Sequence, residues 1–508
     1  MLIIAGGIIA AVWAKPDEAG LGQRAFFTIL TINSTVLLLN LWLLLLSGTR
    51  WYVRVGVLVL EIAAAAVFLP GVAFQGDMVP VIRWPWERDR VAVLEEHRRL
   101  QAAEASAIVP DLTIGRFDSP EYRGVKRDGV MVGPNLNRDW KAKSPKLLWK
   151  QPCGGGYASF AVAGNVAVTI EQRRDKEVVA AYHIDNGKEL WKYEYSADFQ
   201  EPMGGPGPRA TPTIADGNVY SLGATGHLAC LDGKTGHPKW TAEILAGNKN
   251  LHWAMSGSPL VVGKMVIVSP GCQNENNPSE IGLLAFDRNS GDKVWSGGNA
   301  KGGYSSPMLA TFADRKQIVV FEGRQIASYD LADGKLLWSY PWMTLQDINV
   351  AQPIVDEKAG TVFISSGYNV GCALLKIQPG DNNTWKVDVV WKKENKPLRC
   401  KFCSPVEYEG DYYGLDEGFL ACIDAKTGER HWRETSYGHG QILRWDDLLI
   451  VLSEKGELAL VECDPKAFTE LSRIKAIKAR RTWNPPALAN GRIYVRNDEE
   501  MACYDLRE

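Results

Sequence analysis

The chain has no excess of either charge sign. Its 508 residues carry 57 Lys+Arg against 59 Asp+Glu, a formal net charge of −2. Nucleic-acid binders carry a basic surplus or stripe, so no nucleic-acid partner is expected. Histidine is scarce, at seven residues. No His-x-x-x-His or HExxH spacing occurs among them, which removes the helix-borne zinc hydrolases. No phosphate-cradling glycine loop and no Gly-x-Ser-x-Gly elbow is present. No two of the nine cysteines are adjacent. One Cys-x-x-Cys runs from Cys400 to Cys403. No histidine follows it, so it is not a haem-attachment site, and no second such pair completes a four-thiolate zinc site. An oxidising compartment would let this pair form a disulfide, and the odd total leaves at least one thiol over in a monomer.

What is there is apolar and periodic. Apolar residues make up 46% and charged residues 23%, which excludes wholesale disorder. Tryptophan, at 18, outnumbers both Phe (14) and Tyr (17), and glycine reaches 49. Such an excess in a long chain points to a repeat architecture.

The first 76 residues read as a membrane anchor of two or three helices. Residues 1–14 and 25–49 carry no charge, and residues 55–76 carry only Glu61. A span needs roughly 20 apolar residues, which the second and third segments supply. The first is short and has no cleavage site after it, so no cleavable signal is read. Arg50 and Arg54 lie between the second and third segments without an acid, whereas Lys15 and Arg24 are balanced by Asp17 and Glu18. The positive-inside rule then puts residues 48–54 in the cytoplasm and everything after residue 76 outside. Trp84-Pro85-Trp86, flanked by Arg83 and Arg88, resembles an interfacial belt. Glu61 reads as a carboxylate paired within the bundle or near one end, with a proton site as the alternative. Residues 77–144 then form an interfacial helix, stalk and strap. The helical pattern covers 88–108, and a Gly-, Pro- and Asn-rich strap covers 110–145.

From residue 145 to 508 one signature recurs: an apolar run, Asp, a turn with Gly, then Trp. Its cleanest copy is Ala421-Cys422-Ile423-Asp424-Ala425-Lys426-Thr427-Gly428-Glu429-Arg430-His431-Trp432. Others are Asp185…Gly187…Trp191, Asp232…Gly236…Trp240, Asp287…Gly291…Trp295 and Asp330…Gly334…Trp338. A degenerate copy uses Lys376-Ile377 and Trp391, and another replaces the turn by Asp464-Pro465. The Asp positions are 40 to 55 residues apart, or 94 where two repeats are spanned. Each period holds four short strands separated by hairpin turns, the pattern of a propeller blade. The last copy, Met501 to Asp505, lacks its Trp strand, and Lys146-Leu147-Leu148-Trp149 supplies one at the start. Ring closure follows, which hides the edges a linear array exposes. The fold class expected is all-β, an eight-bladed β-propeller with four-stranded blades behind an α-helical membrane anchor. The tryptophans are expected to pack between neighbouring blades. Cys230, Cys422 and Cys503 recur two residues before their repeat Asp and read as small buried packing.

The pattern aliphatic-x-Asp-x-x-Thr-Gly-x-x-x-Trp resembles the repeat of the pyrroloquinoline-quinone (PQQ)-like β-propellers. That superfamily includes quinoprotein alcohol dehydrogenases and the outer-membrane assembly lipoprotein of the barrel-insertion machinery. The strap Tyr122-Arg123-Gly124…Arg127-Asp128-Gly129 is similar to bacterial PQQ-binding-like β-propeller repeat proteins. So are Gly207-Pro208-Arg209-Ala210-Thr211-Pro212, Met255-Ser256-Gly257-Ser258-Pro259-Leu260 and Tyr304-Ser305-Ser306-Pro307. The resemblance covers about residues 119–508. It implies PQQ with calcium for the dehydrogenase branch. That branch carries an adjacent cysteine pair over its cofactor and a Glu/Asn/Asp calcium set, and neither has a match here. No cofactor and no metal is expected from the residues themselves.

The first strand of each blade lines the central channel, so its leading residues crowd one mouth. This places Tyr157, Arg209, Ser256, Tyr304, Gln352, Lys401, His439 and Asn484 near a common axis. The blades repeat one plan, yet these positions differ from one another, which points to ligand binding. The mixture of Arg209, Lys401, aromatics and amides suits an anionic or sugar-like ligand. A lyase or hydrolase built on His439 and Tyr304 would need a third member, and none is visible. The expected function is a membrane-anchored binding or scaffold module for a protein or saccharide, on the periplasmic or extracellular side. Its alternative is a PQQ-dependent dehydrogenase at the membrane.

Overall fold

The computed structural model describes all residues except 15–20, 69–70, 76–78, 84–85, 104–107, 246, 272–281, 299 and 480. The 15–20 loop and Trp84-Pro85, both used in the orientation reading, lie outside the described residues. The chain divides into two compact units, Met1–Ala92 with Gln200–Pro206, and Val93–Phe199 with Gly207–Glu508.

The first unit holds three helices, α1 (Leu2–Ala14), α2 (Leu21–Leu45) and α3 (Trp51–Phe68). Thr28, Thr31 and Thr35 of α2 donate their hydroxyls to carbonyls one turn back, at Arg24, Phe27 and Thr31. Polar side chains on an apolar helix thus find partners within it. Arg54 of α3 donates to the carbonyls of Leu44 and Thr49 at the end of α2, where a cation meets the negative helix terminus. Among the described residues one helix, over Phe27–Leu45, is long and apolar enough to cross a membrane, with mean hydropathy 1.8. The third expected span ends sooner than residue 76. α3 stops at Phe68, and Gly71–Gln75 pairs antiparallel with Val79–Arg83.

The second unit is an eight-bladed β-propeller. Blades 1 to 7 span residues 161–196, 213–243, 260–297, 308–341, 354–394, 406–436 and 441–475, each a four-stranded antiparallel meander. Blade 8 joins residues 487–505 to the N-terminal strand Lys146–Pro152, with Trp149 opposite Cys503. The ring is therefore closed by the strand that the sequence leaves over.

Local chemistry explains each blade edge. In blade 6 the Asp424 carboxylate accepts the Thr427 amide at 2.7 Å and its hydroxyl at 2.9 Å, which folds the turn. Gly428 follows at φ +68°, and a Cβ there would lie 2.7 Å from the Trp391 ring of blade 5. Glycine is needed twice, for the backbone and for the tryptophan that lies on it. Trp391 also donates its indole N–H to Ala425 O. The same seam recurs at Trp149–Gly187, Trp191–Gly236, Trp240–Gly291 and Trp295–Gly334. Blade 5 is the degenerate repeat without that glycine. Trp338 of blade 4 accordingly donates within its own blade, to Gln317.

Helix α4 (Arg90–Ala103) lies along blade 1 rather than standing off as a stalk. Its Leu94 is buried, and Arg98 donates to Pro152 O and sits 4.8 Å over the Tyr182 ring. Gln101 donates to Gln151, and Glu95 pairs with Arg174.

The strap does more than connect. Residues 117–131 cross the channel end opposite the candidate mouth. Ser119 bridges to Val162 of blade 1, Pro120 O accepts from Ile214 of blade 2, and Val130–Met131 adds a parallel strand to blade 7. Two buried arginines rise from it. Arg127 donates to Ser258 O, Pro259 O and Pro307 O and pairs with Glu121 at 2.7 Å. Arg123 donates to Pro405 O and Ile442 O. Together they tie blades 3, 4, 6 and 7 from inside.

Candidate functional site

A hydrogen-bond belt encircles the channel just inside the mouth. The Ser159 amide donates to Thr211 Oγ1, the Thr211 amide to Ser258 Oγ, and the Ser258 amide to Ser306 Oγ. The Ser306 amide then donates to Gln352 Oε1, and the Gln352 amide to Ser404 Oγ. Gln441 donates to Phe402 O and Trp483 O, and Asn484 closes the circle onto Gly156 O and Ala158 O. Each bond joins one blade to another.

The belt sorts the eight expected mouth residues. Gln352 and Asn484 are members of it, at 2% and 0% exposure, and so lie below the mouth. Tyr157, Arg209, Ser256, Tyr304 and His439 stand two residues before a belt residue, at the mouth itself. Ser256 spends its hydroxyl on Tyr304 O at 2.7 Å. Tyr304 stacks toward Trp253 at 6.0 Å. The remaining residues gather on the other side. Arg209 lies 5.4 Å over the Tyr157 ring and 5.0 Å over Phe199. Tyr157 is 5.5 Å from Trp483, which is 4.3 Å from Phe402. Phe402 meets His439 at 5.5 Å, and Lys401 Nζ sits 4.9 Å from both Phe402 and Tyr368. The result is a row of rings from Tyr157 through Trp483 and Phe402 to Tyr368, with the Arg209 guanidinium between Tyr157 and Phe199 and the Lys401 ammonium between Phe402 and Tyr368.

Trp483, Phe402, Tyr368 and Glu454 are the members missing from the expected set. Glu454 organises the row, since one oxygen accepts the Trp483 indole N–H at 2.9 Å and the other the His439 amide at 3.2 Å. Phe402 was adjacent to the expected Lys401, and the position two before Ser404 identifies it. Nothing local marks Tyr368 or Glu454, which enter from turns between second and third strands.

The buried carboxylates around this face are already engaged. Glu177 accepts Tyr195 Oη and the Ala224 amide, and burial raises its pKa. Asp416, fully buried, pairs with Arg399, Arg430 and Arg433. Glu322 accepts Tyr329 Oη at 2.6 Å and Gln325 Nε2 at 2.7 Å, and burial pushes its pKa up to about 7. Its folded value lies above the ordinary 4.5, so the folded protein binds the extra proton between these values. Stability is then full below about pH 4.5 and falls as pH rises to about 7. Glu322→Gln keeps the neutral shape. It should raise the melting temperature at pH 8, by on the order of 3 kcal/mol of stability, and leave it nearly unchanged at pH 4. Thermal melts at the two pH values read this directly.

Closed ring, repeat chemistry and belt together define a PQQ-like β-propeller. The chain belongs to the family described as outer membrane protein assembly factor BamB, whose model matches residues 136–269 and 175–398. Among curated relatives, the quinohemoprotein alcohol dehydrogenase ADH-IIG of Pseudomonas putida is 24% identical over 261 residues, 50% of this chain and 29% of that protein. The tetrathionate hydrolase of Acidithiobacillus ferrooxidans is 23% identical over 238 residues, 44% of each. The matched regions thus span less than half the length of either relative. In solved structures, BamB from Moraxella catarrhalis superposes with TM-score 0.51 at 16% identity, over 71% of this chain and 97% of that one. ADH-IIG superposes with TM-score 0.53 at 13% identity, over 77% and 80%. At these identities the likeness is one of fold.

Proposed function

We propose that the propeller is a binding platform, tethered to the membrane by its N-terminal helices and placed on the periplasmic or extracellular side. Its mouth takes an anionic, sugar-like group, presented by a saccharide or by a protein partner. The carrying observation is the ring row from Tyr157 to Tyr368, with Arg209 over Tyr157 and Lys401 between Phe402 and Tyr368. Ring faces receive the apolar faces of sugars, and the two cations receive carboxylate or phosphate. The family's description as an assembly factor favours a partner-binding role.

The quinone-dependent alternative asks for different groups. A PQQ–calcium site needs free carboxylates under the mouth, and Glu171, Glu177, Glu322, Glu454 and Asp416 are each committed to protein donors. No adjacent cysteine pair exists to cover the cofactor. These residues do not fit that group, and no step is derived through it.

The test uses the full-length protein in detergent and a panel of acidic and neutral oligosaccharides, with membrane crosslinking in parallel. Arg209→Ala with Lys401→Ala should weaken acidic-glycan binding or partner capture about tenfold or more. Trp483→Ala should weaken acidic and neutral sugars alike. Unchanged binding in both variants overturns the mouth as the site. Dye reduction by alcohols on addition of PQQ and calcium overturns the platform reading.

A further inference from the structure

Blade 6 carries a second constellation, away from the channel on its three outer strands. Its strands Asp411–Asp416, Phe419–Asp424 and Arg430–Ser436 are neighbours. Tyr413 lies opposite Cys422, and Cys422 opposite Trp432. The register then slips between Cys422 and Ile423, leaving His431 as the extra residue of a β-bulge. A bulge re-aims a side chain toward its neighbours' face. Asp411 and Tyr413, two apart on one strand, share a face. Consequently Asp411, Cys422 and His431 offer ligand atoms that all lie within 4.8 Å of one another. The His431 ring nitrogen Nε2 is 2.9 Å from Asp411 Oδ1.

Comparison with the other blades separates this from ordinary packing. The Tyr–Cys couple recurs as Tyr220–Cys230 in blade 2 and Tyr494–Cys503 in blade 8. There the flanking positions hold Asn218 with Lys239, and Arg492 with Leu148. Neither set can complete a metal site, and Lys239 bonds Asn218 directly at 2.6 Å. Among the described residues, blade 6 alone puts a carboxylate and an imidazole beside the buried thiol. Tyr413, fully buried, lies opposite Cys422 and its hydroxyl interacts with the Cys422 thiol. His431 is exposed enough for an ion to enter.

We infer that Asp411, Cys422 and His431 form a binding site for a zinc-type divalent cation at the seam of blades 6 and 7. One oxygen, one sulfur and one nitrogen ligand suit a borderline-soft tetrahedral ion, with the fourth position left to water. Binding exchanges the Cys422 thiol proton, released to solvent, for the metal–sulfur bond. Trp432 donates to Asp464 O of blade 7, so the ion would brace this seam.

The probe is cobalt(II), added to chelator-treated full-length protein. The expected result is a thiolate-to-cobalt absorption band saturating at about one ion per chain, displaced by zinc. Zinc should raise the melting temperature. Cys422→Ser and His431→Ala should each abolish the band with the far-ultraviolet circular dichroism intact. Cys230→Ser, at the same position of blade 2, should retain it. If a blade 6 variant does not fold, the wild type decides: zinc should displace the cobalt band and raise the melting temperature at about one ion per chain. No band and no zinc-dependent stabilisation overturns the site, as does a band that survives both blade 6 substitutions.

Discussion

Arg127→Met should lower the stability of the propeller by about 3–5 kcal/mol, more than any mouth substitution. The guanidinium is 1% exposed. It satisfies three carbonyls on two blades and one carboxylate, Glu121, from a strap outside the ring. Methionine fills similar volume, so the loss is of pairing rather than of packing. Ser258 O, Pro259 O and Pro307 O would be left without this donor, and the Glu121 carboxylate without its cation. Denaturant unfolding of the full-length protein measures the change. Lys126→Ala, one residue away and exposed, should be close to neutral. Equal effects from the two substitutions would mean that the strap does not brace the blades.

The strap was legible as a connector and not as a plug. Its arginines work through carbonyls 131 to 319 residues away, and a carbonyl leaves no mark in a sequence. The blades were legible for the opposite reason. Asp424, Thr427, Gly428 and the next strand's Trp lie within a dozen residues and recur at a fixed period, so the repeat marks the seam even though Gly428 and Trp432 contact the neighbouring blades. The mouth lies between these cases. Ser258 and Ser306 sit before prolines, and so do Gln352 and Asn484, which places all four at one register. The belt uses Ser or Thr hydroxyls at some blades and the amides of Gln352 and Asn484 at others, so these two resembled variable mouth residues. They are instead structural substitutes for serine. The actual mouth position in blade 6 is Phe402, with Lys401 beside it.

Trp149→Ala should cost a further-reaching ~3–5 kcal/mol, because it acts where the ring is closed by the chain's own beginning. Trp149 is 7% exposed, its ring lies against Gly187 of blade 1, and its indole N–H donates to Ile184 O at 2.9 Å. Trp295 repeats the stacking on Gly334 but has no partner for its indole N–H. The pair therefore separates packing from hydrogen bonding. Trp149→Phe should cost about 1 kcal/mol more than Trp295→Phe. The same seam carries Arg496, fully buried, which donates to Thr169 Oγ1, Ile170 O and Gly154 O. Beside it, burial would raise the Glu171 pKa, but Arg173, Arg496 and Arg98 hold it down at about 2. That carboxylate's stabilisation is complete above its ordinary 4.5 and is lost as pH falls toward 2. Acidification toward pH 2 and Trp149→Ala should thus open the ring at one place. Limited proteolysis should then cut first within residues 153–160, between the closing strand and blade 1. Cleavage first at another seam would assign the weakest point of the ring elsewhere.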